Sequence, residues 1–201
     1  MILAKEIMES LFPLPSLLPP GFVYRPDFIT REEENFLVGE IQRSTLRTFV
    51  FQGYEAKRKV AGFGYDYSFD KRSISPGAPI PEVYQFLIQR VSSFTGKSEN
   101  DFKELLLTEY PVGAVINWHR DAFPFDVIVG VSLQADCTFK LRPHNETLRT
   151  RKNTVSVEVK RRSLYLMSGE SRDEWQHSTA PVKEVRYSIT LRTLRAEFAD
   201  I

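Results

Sequence analysis

The sequence predicts an α+β fold in which helices pack on a β-sandwich. Three observations carry this. Two stretches in the first half, residues 30–44 and 81–96, keep their apolar residues at helical spacing. After Gly96 the chain is a train of short segments that alternate or run apolar over strand lengths. With 201 residues, 42% of them hydrophobic, it is long enough to bury one full core and fits a single domain, residues 1–201.

Residues 1–21 read as an extended N-terminal arm, broken by Pro13, Pro15, Pro19 and Pro20 and packed through Leu11, Phe12, Leu14 and Leu17. Phe22-Val23-Tyr24 is a short strand. Thr30 opens a capping box with Glu33, and Glu32, Glu33 and Glu34 suit the positive end of a helix. Phe36, Leu37 and Ile41 give that helix an apolar stripe to about Ser44. From Thr48 to Phe69 the pattern changes to short strands broken by Gly53, Gly62 and Gly64, and Pro76-Gly77-Ala78-Pro79 is a loop. Pro81 suits a first helical position, Val83, Leu87, Ile88, Val91 and Phe94 keep helical spacing, and Gly96 closes the helix. The strands that follow are 102–110, 127–133, 138–142, 154–159, 163–167 and 185–194. Alternation alone does not separate a sandwich from a barrel.

A formal net charge of +1 gives no global attraction to nucleic acid or membrane, so any such surface must be local. Lys140, Arg142, Arg149, Arg151 and Lys152 surround an expected hairpin, and Lys160-Arg161-Arg162 follows it. The single cysteine, Cys137, lies in an apolar-alternating run and reads as a buried strand residue in a reducing compartment. No stretch approaches the ~20 apolar residues of a membrane span, and Glu6 and Glu9 stand where a secretory signal would be basic. We expect a cytoplasmic (in a eukaryote, also nuclear) monomer with no membrane partner.

The chemistry concentrates between Tyr110 and Asp121. In an extended chain the spacing of His119-Arg120-Asp121 turns imidazole and carboxylate to one face, with Cα atoms about 6.6 Å apart. These are two legs of the two-His, one-carboxylate set that holds ferrous iron and leaves three positions open. His177, read as a loop residue after Trp175, is the candidate third ligand, whereas His144 reads as a solvated loop residue. A carboxylate in the set favours iron over a closed zinc site. Further on, Arg186, Ser188, Thr190 and Arg192 share one strand face, while Tyr187, Ile189 and Leu191 share the core face. Buried arginines are costly unless paired, and a dicarboxylate supplies the partners. With Cα atoms roughly 20 Å apart, two long side chains leaning inward reach opposite ends of a five-carbon diacid.

Taken together, His119-x-Asp121, the distant His177, Arg186-x5-Arg192 and Tyr110 ahead of the first histidine resemble the AlkB family of iron(II)- and 2-oxoglutarate-dependent dioxygenases. The resemblance implies a double-stranded β-helix, or jelly-roll, over residues 102–195, with the N-terminal helices packed on one sheet. It implies Fe(II) as cofactor and 2-oxoglutarate and O2 as cosubstrates. His119, Asp121 and His177 would be metal ligands. Arg186 would anchor the distal carboxylate of 2-oxoglutarate with Tyr110, and Arg192 would sit at the metal-side carboxylate and join the three ligands in the catalytic set. Two cosubstrate-side positions depart from the family pattern: Thr108 and Ser188 stand where asparagine is usual.

The resemblance further makes residues 48–70 a substrate-recognition lid, with Tyr67 and Phe69 lining or stacking on a flipped base. Arg58 and Lys59, with Lys57, would meet phosphates. Phe123 takes the place where DNA-repairing relatives carry an acid two residues after the triad aspartate, which leaves room for neutral adducts. The implied reaction is oxidative removal of alkyl groups from damaged bases, as in DNA alkylation repair, with alkylated DNA preferred to RNA. Two alternatives stay open: the same chemistry on tRNA, protein or lipid, and a β-helix binding module that has lost turnover.

Overall fold

The computed structural model describes residues 18–51, 53–68 and 71–198. Most of the N-terminal arm and Phe69 therefore lie outside the described residues. Twelve strands form two antiparallel sheets: β1 (Phe22–Arg25), β2 (Arg47–Phe51), β3 (Tyr54–Ser68), β4 (Ser73–Pro76), β5 (Phe102–Tyr110), β6 (Ile116–His119), β7 (Phe125–Leu133), β8 (Cys137–Pro143), β9 (Val155–Val159), β10 (Leu164–Met167), β11 (Trp175–Thr179) and β12 (Arg186–Leu194). The major sheet runs β1-β10-β7-β12-β5-β3-β2, with β4 on β3, and the minor sheet runs β6-β11-β8-β9. From β5 onward the chain passes back and forth between the sheets, which is the jelly-roll winding.

The helices are α1 (Arg31–Arg43), α2 (Gln85–Thr95) and the short α3 (Glu170–Asp173). Thr30 caps α1 in a complete capping box with Glu33. Leu37 and Ile41 of α1 and Leu87, Ile88 and Val91 of α2 are buried in one cluster with Tyr187, Ile189 and Leu191 of β12. The helices thus back the outer face of the major sheet. A second cluster, including Tyr110, Phe125, Ile128, Cys137, Phe139 and Leu141, fills the space between the sheets. β12 serves both layers, because successive side chains of a strand point to opposite faces.

Several expectations need correction. Residues 54–68 form one continuous strand, so Gly62 and Gly64 do not break it. Gly64 marks instead the place where β3 leaves β5 and turns to β4. Its φ is +84°, and a Cβ there would lie 2.0 Å from the Lys103 carbonyl oxygen. β4, which overlaps the expected loop only at Pro76 and was not assigned from sequence, pairs with Tyr65–Ser68. Pro81 precedes a 3-10 turn, Glu82–Tyr84, and α2 proper starts at Gln85. His177 lies on β11 and not on a loop. That strand reads Trp-Gln-His-Ser-Thr, too polar to show alternation, and is specified by its neighbours β6 and β8. The basic run at 160–162 is spent on structure: Lys160 pairs with Asp136, Arg161 with Glu34 and Arg162 with Asp27. No helix among the described residues is long and apolar enough to cross a membrane.

Candidate active site

His177 of β11 stands directly opposite His119 of β6, both on the inner face of the minor sheet. Their ring centroids are 4.1 Å apart. Asp121, two residues past His119, brings its carboxylate to 3.7 Å from His177 Nε2. One ligand atom from each of the three residues lies within 4.8 Å of the others. His119 Nδ1 is 2.8 Å from the Asn117 carbonyl oxygen; with its proton on Nδ1, the imidazole offers the Nε2 lone pair to a metal. His177 lies flat against Phe139, with centroids 5.3 Å apart.

The electrostatics suit a divalent cation. Burial, reinforced by His119, pulls the His177 pKa down to about 3, and burial also lowers that of His119. Burial alone would raise the Asp121 carboxyl, but Arg192 and the two imidazoles overcome it and hold the group below the ordinary range. At neutral pH the site therefore presents two neutral nitrogen donors and one carboxylate, the protonation states that metal binding requires.

Arg172, which sequence reading passed over, fixes the turn that carries Asp121. This arginine of α3 is only 4% exposed. Its Nη2 donates to the carbonyls of Asp121 at 3.3 Å, Ala122 at 2.7 Å and Phe125 at 2.9 Å. The signal was a highly charged stretch, Glu-Ser-Arg-Asp-Glu, between two strands.

The inner face of β12 carries the paired arginines, but they are not equivalent. Arg192 donates to Asp121 Oδ1 at 2.8 Å and also pairs with Glu104 of β5. Burial would lower its pKa, yet these two carboxylates more than reverse that and keep it charged. Arg186 is 2% exposed and meets no carboxylate among the described residues. It bonds Ser132 Oγ through Nε at 3.0 Å and lies 4.8 Å over the Tyr110 ring. The two arginines therefore differ in their surroundings: Arg192 is paired to Asp121 and Glu104, whereas Arg186 meets a hydroxyl and an aromatic ring.

Thr108 is buried and borders the same cavity. Ser188 is buried behind it and donates to Tyr110 Oη at 3.5 Å, so it supports Tyr110 and does not reach the cavity. Tyr165 of β10, also missed from sequence, enters at this end. A Cβ on Gly130 would lie 2.2 Å from its ring, so the glycine in β7 makes room for the phenol. Burial raises the pKa of Tyr165 and keeps it a protonated donor.

These groups share a cavity of about 1260 Å³ whose open side is framed by the β2–β3 hairpin, within residues 48–70. Tyr67 lines it, as expected. Arg58 lines the cavity, with its guanidinium over the Phe49 ring. Lys59 turns away and bonds Glu109 at 3.1 Å. Phe123 is 62% exposed against Arg195 and Phe198 and does not line the cavity, because the chain turns back toward the sheet after Asp121. His144, expected to be a solvated loop residue, is half-buried, and its Nδ1 has no hydrogen-bond partner among the described residues.

A family model described as the 2OG-Fe(II) oxygenase superfamily matches residues 22–195. The chain belongs to that superfamily. Among its relatives is the Xenopus tropicalis "tRNA (carboxymethyluridine(34)-5-O)-methyltransferase alkbh8", 28% identical over 90% of this chain and 28% of that protein. The Bos taurus "RNA demethylase ALKBH5" is 28% identical over 86% of this chain and 46% of that protein. The chain thus spans between about a quarter and a half of these relatives, which are AlkB proteins. "The structure of OsALKBH1" superposes with a TM-score of 0.67 at 16% identity, covering 88% of this chain and 98% of that one, which shows the jelly-roll fold.

Oxygenases of this superfamily use Fe(II), 2-oxoglutarate and O2. The donor set here fits ferrous iron, with open positions left after two imidazoles and a carboxylate. The buried, acid-free Arg186 fits one carboxylate of 2-oxoglutarate, with Tyr110 and Tyr165 beside it.

Proposed function

We propose that this oxygenase domain removes alkyl groups from the bases of nucleic acid, with RNA favoured over DNA by the names of the relatives. The observation that carries the reading is the composition of the cavity's open side. Phe49, Tyr54, Tyr65 and Tyr67 border a cavity that reaches from solvent to the His-Asp-His cluster. Tyr54 is 70% exposed and Val50 54% exposed at this edge, so their apolar faces are open to a partner. Arg47 and Lys57 are exposed beside them. Aromatic faces interleaved with cations suit a strand whose bases stack and whose phosphates need countercharge.

When bound, iron(II) with 2-oxoglutarate and O2 supplies the oxidation of an alkyl C–H to a carbinol. This chain's residues do the rest. Arg186 orients the cosubstrate from its far end, Arg192 holds Asp121 in its ionised form, and Arg172 holds the Asp121 turn. The hairpin aromatics position the base, which must leave its stack to bring the alkyl carbon to the metal. Loss of the alkyl group as an aldehyde follows when the C–N bond breaks, the hydroxyl giving up its proton as the C=O forms and the released base nitrogen taking a proton from water.

The test is mass spectrometry of matched alkylated RNA and DNA oligonucleotides after incubation with the protein, iron, ascorbate and 2-oxoglutarate. Loss of the alkyl mass from RNA supports the reading. Loss from DNA alone assigns DNA alkylation repair instead. If no oligonucleotide changes while 2-oxoglutarate is still turned over to succinate, the nucleic-acid assignment fails.

A further inference from the structure

Arg58 is a cation held inside the reaction cavity without an anion. It is half-buried on β3, its Cζ lies 4.0 Å from the Phe49 ring centroid, and it makes no ion pair or hydrogen bond among the described residues. It lines the same cavity as His119, Asp121 and His177, and burial lowers its pKa. The cavity acids do not answer it. Glu104 and Asp121 are both taken by Arg192, and Asp66 is exposed. Phe123, in the sequence position where an acid would neutralise a cationic base, is apolar and lies outside.

We propose that Arg58 sorts substrates by charge, admitting an alkylated base that is neutral or acidic and turns hydrogen-bond acceptors toward it, and rejecting a base with a fixed positive charge. The inference rests on the nucleic-acid reading above. A guanidinium laid over an aromatic ring has its face covered and its N–H groups directed edge-on, the fork that reads two acceptors on the edge of a base. A cationic base would bring a like charge beside a half-buried guanidinium, where repulsion is less screened than in bulk water. A neutral pyrimidine with carbonyl oxygens beside its alkylated nitrogen meets the same fork favourably.

The experiment uses short single-stranded oligonucleotides identical except for one base. That base is 3-methyluridine, neutral with two flanking carbonyls, or 3-methylcytidine, predominantly protonated and cationic at neutral pH. Dissociation constants are measured by fluorescence anisotropy without iron for the wild type, Arg58→Gln and Arg58→Glu, with melting temperatures alongside. The wild type is expected to prefer the neutral base by at least about ten-fold, the Gln variant to lose most of that preference, and the Glu variant to invert it. Equal affinities in the wild type, or a preference that Arg58→Glu leaves unmoved, overturn the charge filter. Demethylation of the same oligonucleotides by the iron-loaded wild type tests the underlying reading separately. A preserved binding preference without demethylation leaves the filter standing and removes the chemistry; demethylation of both bases alike does the reverse.

Discussion

Replacing Arg186 separates its role as a ligand from any role in folding. The residue is 2% exposed, commits Nε to Ser132 at 3.0 Å, lies over the Tyr110 ring and faces no carboxylate among the described residues. Arg186→Lys keeps the charge but loses the planar fork. Losing one charge-assisted hydrogen bond costs about 1.5–3 kcal/mol, which weakens 2-oxoglutarate binding by about ten- to a hundred-fold. Arg186→Met loses both arms of the fork, about 3–6 kcal/mol, and should bind at least about a hundred-fold more weakly. The same methionine replaces an unpaired buried cation by an apolar chain of similar length, so the ligand-free protein should melt no lower than the wild type. Calorimetric titration of 2-oxoglutarate into the manganese-loaded protein without oxygen gives the affinities, and thermal scans with and without cosubstrate give the stabilities. Wild-type affinity in the Met variant refutes the anchor. A large loss of stability with no cosubstrate present makes Arg186 a structural residue.

Alanine at His119, Asp121 or His177 should abolish succinate formation while the fold persists, since a three-ligand site cannot spare a ligand; circular dichroism and bound-iron analysis check the two halves of that statement. Glu34 is fully buried, accepts the Gln134 backbone N–H at 2.8 Å and pairs with Arg161. Glu34→Ala should cost about 3–5 kcal/mol by urea unfolding, and a loss within about 0.5 kcal/mol would place it among neutral surface changes. His177 resists protonation down to about pH 3 in the folded chain, whereas the unfolded chain takes up that proton below about 6.5. Metal-free stability should therefore fall as the pH drops from about 6.5, by up to about 1.4 kcal/mol per unit from this group. His177→Gln should flatten the slope, and identical slopes in both proteins would rule the assignment out.

The parts of the fold legible in the sequence were those where one local rule dominates. Thr30 and Glu33 state the start of α1, and the alternation in residues 186–192 separates the helix-backed face of β12 from the reactive one. The metal set was legible because the two residues His119 and Asp121 are only two apart in the chain, although β6 ends at His119 and Asp121 lies on the turn that follows. Less visible were features that depend on a neighbouring segment. β11 is polar and becomes a strand only between β6 and β8, which is why His177 was misread as a loop residue. The closeness of Gly130 to Tyr165 and the grip of Arg172 on three carbonyls join residues far apart in the chain. The placements of Arg58 inside the cavity and Phe123 outside it were not legible, because the sequence shows residue type but not whether a side chain turns toward the cavity or away from it.

The two faces of β12 also bear on how such a domain diversifies. Tyr187, Ile189 and Leu191 are locked into the layer beneath α1 and α2, and they depend little on what fills the cavity. Arg186 and Arg192 on the other face line the cavity that holds the His-Asp-His cluster. Inherited changes around the cavity and its hairpin can therefore re-tune what is bound and oxidised while the helix-backed layer holds the chain folded, so a lineage built on this scaffold can try new substrates without first having to survive an unstable intermediate.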